Sequence, residues 1–138
     1  MRFQDKVAVI TGGARGQGRS HAVALAREGA KVALWDIANG QTQHPPYRMA
    51  SAEDMEETVR LVKDAGGEAL PVAVDLRDGA QVRDAVDRTI DAFGGIDHLA
   101  VQQGAMPLTR EVWNTDEDHW DDIINVNLRA SFLACKYV

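Results

Sequence analysis

The sequence has one cysteine, Cys135, so no disulfide framework can form within it. A lone thiol fits a reducing compartment. Positive charge is in short supply. The net charge is −6 and no basic cluster offsets it, which argues against a nucleic-acid partner. The apolar run in the N-terminal "MRFQDKVAVITGG" is too short for a signal peptide's apolar region or a membrane span. The expected setting is therefore cytoplasmic, with no membrane partner. Internal repeats and low-complexity segments are absent. His21, His44, His98 and His119 are scattered, without metal-ligand spacing to acids or cysteine, so no metal site is expected. What is present is ordinary for one soluble domain with a real core: 138 residues, 45% hydrophobic and 26% charged.

Short apolar runs alternate with helical patterns along the chain. "KVAVIT" (6–11) runs into glycines and reads as a buried strand. Ala22, Val23, Leu25 and Ala26 recur at helical spacing within 15–28, and Gly29 supplies a stop. "KVALWD" (31–36) reads as a second buried strand. Residues 37–50 carry turn formers and two prolines and form a long loop. Ser51 with Asp54 forms a capping-box pattern opening a helix that ends at Gly66-Gly67. "EALPVAVD" (68–75) is a third strand, and Pro71, lacking a donor, places it at a sheet edge. A helix over 78–93 turns Val82, Ala85, Val86, Ile90 and Phe93 to one face. "GGIDHLAVQQGA" (94–105) holds a fourth strand. From about Asp116 a last helix carries Trp120, Ile123, Ile124, Leu128, Phe132 and Cys135, with Cys135 expected to pack on its apolar face. Strands alternating with helices predict right-handed crossovers and a parallel sheet covered on both faces. The fold class is α/β, a three-layer Rossmann-type doubly wound sheet of order 3-2-1-4, in one dinucleotide-binding domain over 1–138.

The stretch "AVITGGARGQGRSHAVALAREGA" (8–30) admits two phosphate-binding designs. Gly12, Gly16 and Gly18 give G-x-x-x-G-x-G, a dinucleotide loop. Read from Gly13, "GARGQGRS" is one residue short of a nucleoside-triphosphate P-loop. Both place backbone N–H groups and a helix N-terminus against an anion. The P-loop needs a lysine point charge where this chain has Arg19, which is planar and forked. Asp36, about 20 residues past the loop, suits a ribose that offers two hydroxyls. Its charge repels a 2′-phosphate and favours NAD over NADP, although Arg15 and Arg19 supply cations that could accept such a phosphate. The dinucleotide reading is preferred, and the P-loop stays as an alternative.

On these residues the chain resembles the short-chain dehydrogenase/reductase family. "TGGARGQG" (11–18) is similar to its T-G-x-x-x-G-x-G loop, which assigns Gly12, Arg15, Gly16, Gln17 and Gly18 to the cofactor. Asp36, followed by Ile37, resembles its NAD-selecting acid. "VDLRD" (74–78) resembles its adenine-bordering pair, here Asp75 and Leu76. "NVNLRASF" (125–132) resembles the helix with its catalytic asparagine, here Asn127, which would support a proton relay. The wording of the loop and the long 37–50 segment look like the mycofactocin-associated, carveol dehydrogenase-like subgroup. There an insertion covers a tightly held NAD, and the substrates are alcohols and ketones of terpenoid or similar type. The family's Asn-Ala-Gly after the fourth strand is replaced here by Gln102, Gln103 and Gly104. Gln102 keeps an amide, and Gln103 puts a long side chain beside the nicotinamide ribose.

The resemblance implies an NAD-dependent oxidoreductase moving a hydride between nicotinamide and an alcohol or ketone. The family's catalytic Ser and Tyr-x-x-x-Lys would follow Val138, and Lys136-Tyr137 has the wrong order to replace them. The chain is accordingly expected to carry the cofactor half and to be inactive alone. A non-catalytic dinucleotide-binding module is the second reading. The fourth strand's edge and the last helix's apolar face are expected to drive self-association, a homo-oligomer included.

Overall fold

The computed structural model describes residues 1–40, 48–106 and 110–138. Four parallel strands form its sheet: β1 (Val7–Thr11), β2 (Lys31–Asp36), β3 (Glu68–Ala73) and β4 (His98–Val101), in the order β3-β2-β1-β4. Helices α1 (Gly16–Arg27), α2 (Ala52–Asp64) and α3 (Gly79–Phe93) make the crossovers. After β4 comes a short 3-10 turn (Val112–Asn114). Then α4 (Glu117–Ile124), a π turn (Asn125–Arg129) and α5 (Ala130–Tyr137) follow without a break.

Strand alternation builds two cores. Val9, Ala33 and Trp35 point to one face, where Val82 and Ala85 of α3 meet Ala130 and Leu133 of the last helix. Ile10, Val32 and Leu34 point to the other, onto Ala22 and Ala26 of α1 and Met55 and Val62 of α2. β1 and β2 are covered on both faces, which is why they read as continuous apolar runs. β3 and β4 are the edges and are less buried, and Pro71 lies on β3 as its missing donor requires. The capping box at Ser51 is formed: its Oγ accepts from the Asp54 N–H, and the Asp54 carboxylate accepts from the Ser51 N–H.

Two sequence expectations need correction. On α3 the buried residues are Val82, Ala85 and Thr89, and Ile90 is exposed. Thr89 belongs inside because its Oγ accepts from the buried Trp35 indole N–H and donates to the Ala85 carbonyl. Cys135 is exposed rather than packed. Trp120, Ile124, Leu128 and Phe132 face outward, in line with the bare apolar face expected of the last helix, while Ala130, Leu133 and Ala134 make the contact. The outward residues recur every four positions, so one exposed apolar stripe runs along α4, the π turn and α5. Part of the 37–50 loop, residues 41–47 with His44, lies outside the described residues.

Candidate dinucleotide-binding cleft

The C-terminal ends of the strands open into a cleft of about 260 Å³. Its lining includes Gly12, Arg15, Gly16, Gln17, Gly18, Asp36, Ile37, Asp75, Leu76, Gln102 and Gly104. Those are all the residues the sequence assigns to a cofactor, brought together from the ends of four strands. Ligands of open parallel sheets enter at such a place, where strand order reverses, here between β1 and β4.

The loop between β1 and α1 is shaped by close backbone approach. Gly12 has φ +66°, and a Cβ there would lie 2.9 Å from the Cα of Gln103. At Gly18 a Cβ would lie 2.1 Å from the Gly12 carbonyl oxygen, so only glycine lets α1 start this near β1. Gly16, with φ +57°, has no heavy atom within 4 Å of an added Cβ, so its outer side is open to the cleft. Asp78 caps α3 and Ser51 caps α2, but no side chain caps the first turn of α1. Its amides are placed for an anion, as a pyrophosphate would require.

Asp36 ends β2 and is 9% exposed. Its Oδ2 accepts from the Ala14 N–H at 3.1 Å and its Oδ1 from the Ala38 N–H at 3.3 Å. Burial raises its pKa above the usual carboxylate value, opposed by the N–H groups of Ala14, Ala38 and Ile37 and by the Arg15 charge. The carboxylate thus holds the loop in place and still faces the cleft. Asp75, two residues past the end of β3, is gripped by Arg77, whose guanidinium holds its pKa below the usual value.

Arg19 has a different role from the phosphate-binding one weighed in the sequence. Its Nε donates to Thr58 Oγ at 2.8 Å, and its Nη2 donates to the carbonyls of Ala14 and Asp54 at 3.0 and 2.9 Å. It staples α1 and the loop to α2 and is not among the cleft-lining residues. The position a P-loop would fill with its lysine is thereby turned away from the phosphate space.

Asn127 lies in the π turn and not on the cleft wall. Its Oδ1 accepts from the Ala105 N–H and its Nδ2 donates to the Ala105 carbonyl, both at 2.9 Å. The side chain clamps the backbone after β4. Gln103 does not project freely beside a ribose. Its Oε1 accepts from Thr11 Oγ and its Nε2 donates to Ser131 Oγ at 2.9 Å, while Ser131 Oγ donates to the Asn127 carbonyl at 2.6 Å. The long side chain ties the end of β1 to α5. Tyr137 packs at the helix end, where its hydroxyl accepts from Arg83 at 2.9 Å. Sequence reasoning missed Arg77 and Asp122 on the cleft wall, although "VDLRD" places the arginine two residues after Asp75.

Comparison with known proteins fits this geometry. The profile of the short chain dehydrogenase family matches residues 6–138. An uncharacterised NAD-dependent oxidoreductase of Mycobacterium tuberculosis is 40% identical over 137 residues, covering 97% of this chain and 48% of the relative. The (−)-trans-carveol dehydrogenase of Rhodococcus erythropolis is 34% identical over 135 residues, covering 98% and 48%. The crystal structure of carveol dehydrogenase from Mycobacterium avium in complex with NAD superposes with a TM-score of 0.94 at 37% identity, covering 99% of this chain and 49% of that one. The chain spans about half the length of these relatives.

Proposed function

The chain belongs to the short-chain dehydrogenase family, and on that premise we propose that it forms the cofactor-holding half of an NAD-dependent oxidoreductase acting on an alcohol or ketone. The observation that carries this reading is the convergence of an uncapped α1 N-terminus, an open Gly16 and the Asp36 carboxylate in one cleft. The residues fit the cofactor. The α1 amides with Gly12, Gly16 and Gly18 hold a pyrophosphate. Asp36 accepts from both hydroxyls of the adenine ribose and disfavours a 2′-phosphate. Asp75 and Leu76 border the base, and Gln102 and Gly104 border the nicotinamide end. NAD, when bound, supplies the hydride acceptor.

The rest of the reaction needs a proton donor for the substrate oxygen. The 138 residues contain two tyrosines, Tyr47 and Tyr137, and neither is followed four residues later by a lysine within them. Asn127 is a positioning residue here, holding Ala105 at the cleft's edge with both ends of its amide. These residues alone therefore bind the cofactor and do not turn over. The carveol dehydrogenases among the relatives point to cyclic terpenoid-like alcohols as the first substrates to test with a longer polypeptide.

The test is a titration of tryptophan emission with NADH, NADPH and magnesium-ATP, with Trp35 beside Asp36 as reporter. Saturation by NADH, weaker binding of NADPH and none of magnesium-ATP are expected, with no NADH formed from alcohol and NAD. Magnesium-dependent ATP binding without NADH binding would return the reading to a P-loop protein. Turnover by the 138 residues would mean that they contain a proton donor of their own.

A further inference from the structure

Asp36 marks the place of the ribose, and the strand beyond it is β3. β3 pairs with β2 up to Asp36 opposite Ala73, and the Val74 N–H donates to the Asp36 carbonyl at 2.9 Å. A base attached to that ribose extends onto the wall made by Val74, Asp75, Leu76 and Arg77. Val74 and Leu76 are buried and apolar, suited to the face of a base. Its polar edge is left to Asp75.

Asp75 does not stand alone. Arg77 Nε donates to Oδ1 at 2.9 Å, Arg77 Nη2 donates to Oδ2 at 2.7 Å, and the Arg77 N–H donates to Oδ1 at 3.0 Å. On its other side Arg77 Nη1 lies 3.7 Å from Asp122 on α4. The fork fixes the plane of the carboxylate, and Asp122 helps fix the fork. An ionised carboxylate only accepts hydrogen bonds, so it reads an amino group and leaves a keto oxygen unpaired.

Resting on the dinucleotide reading above, we propose that Arg77 is a base-positioning residue: by forking Asp75 it orients an acceptor that selects adenine, with its exocyclic amino group, over the 6-oxo base hypoxanthine. Lysine cannot replace it, because a point charge does not fix the carboxylate's plane.

The test compares dissociation constants for NADH and for reduced nicotinamide hypoxanthine dinucleotide in the full chain and in its Arg77→Gln and Arg77→Lys variants. The unsubstituted chain is expected to prefer NADH about tenfold or more, the size of a lost hydrogen bond to a charged acceptor. In both variants the preference is expected to fall below about threefold. A merely structural loss weakens both ligands alike and keeps their ratio, so a preserved ratio in either folded variant overturns the proposal. Equal affinity for the two ligands in the unsubstituted chain overturns it without any variant and leaves the cofactor reading standing. Failure to bind either ligand overturns the cofactor reading, and this proposal with it.

Discussion

Gly16 and Gly18 stand two residues apart in one loop, yet alanine should act on them in opposite ways. A Cβ at Gly18 would lie 2.1 Å from the Gly12 carbonyl oxygen and 2.7 Å from its carbon, where ordinary contact is 3.4–4 Å. Both neighbours are backbone, so α1 must retreat by about 1 Å or more from β1, against two packed cores. We expect Gly18→Ala to cost about 3 kcal/mol or more, a large part of the roughly 5–15 kcal/mol that holds such a domain. Its melting temperature should fall by on the order of 10 °C. At Gly16 nothing lies within 4 Å, and the penalty is only the left-handed backbone, φ +57°. That strain is worth about 1–2 kcal/mol. The new methyl would instead stand in the space open to a pyrophosphate. Gly16→Ala should therefore melt within about 7 °C of the parent and lose tenfold or more in NADH affinity. Thermal melts by circular dichroism and NADH titrations read the two effects separately. A Gly16→Ala chain that binds NADH as tightly as the parent would refute the reasoning and reduce the loop to a packing turn.

The Asp36 carboxyl carries a raised pKa, so over that interval the folded chain binds more protons than the unfolded one, and stability falls as pH rises through it. The ionised form accepts the ribose hydroxyls, so NADH affinity should be complete above the raised value and decline as pH falls through it. An Asp36→Asn chain should bind weakly at every pH, and a decline surviving in that variant would refute the assignment. Arg19→Ala removes bonds to Thr58, Ala14 and Asp54 and should cost about 2 kcal/mol in a denaturant titration without changing the preference for NADH over NADPH. A shift toward NADPH would show that Arg19 meets the phosphate side after all. Trp120, Leu128 and Phe132 are 59%, 64% and 59% exposed on the last helix. Concentration-dependent association is expected in sedimentation velocity and should be relieved by Leu128→Lys with Phe132→Lys. A monodisperse monomer in the parent would contradict it.

Much of the fold was legible because local patterns and tertiary environment agree in it. β1 and β2 are buried on both faces and read as apolar runs, Pro71 marked an edge, and Ser51 with Asp54 marked a helix start. The cleft was legible for the same reason: its residues sit at strand ends, where short motifs describe backbone geometry. The last helix was not. Periodicity identifies an apolar face but not what covers it: Cys135 is exposed, and Ala130, Leu133 and Ala134 make the packing contact instead. Arg19 and Arg77 show a second limit. Spacing brings both near a phosphate or a base, but only tertiary contacts decide that one staples α2 and the other grips Asp75.

The central claim is that a nicotinamide dinucleotide lies across the ends of β1, β2 and β3. Its most direct test is an amide nitrogen–proton correlation spectrum followed through an NAD titration. The account predicts that the amides of Gly16, Gln17, Gly18, Ile37 and Leu76 move together along one saturation curve. If those amides stay in place while NAD is added, or move only with magnesium-ATP, the account is contradicted.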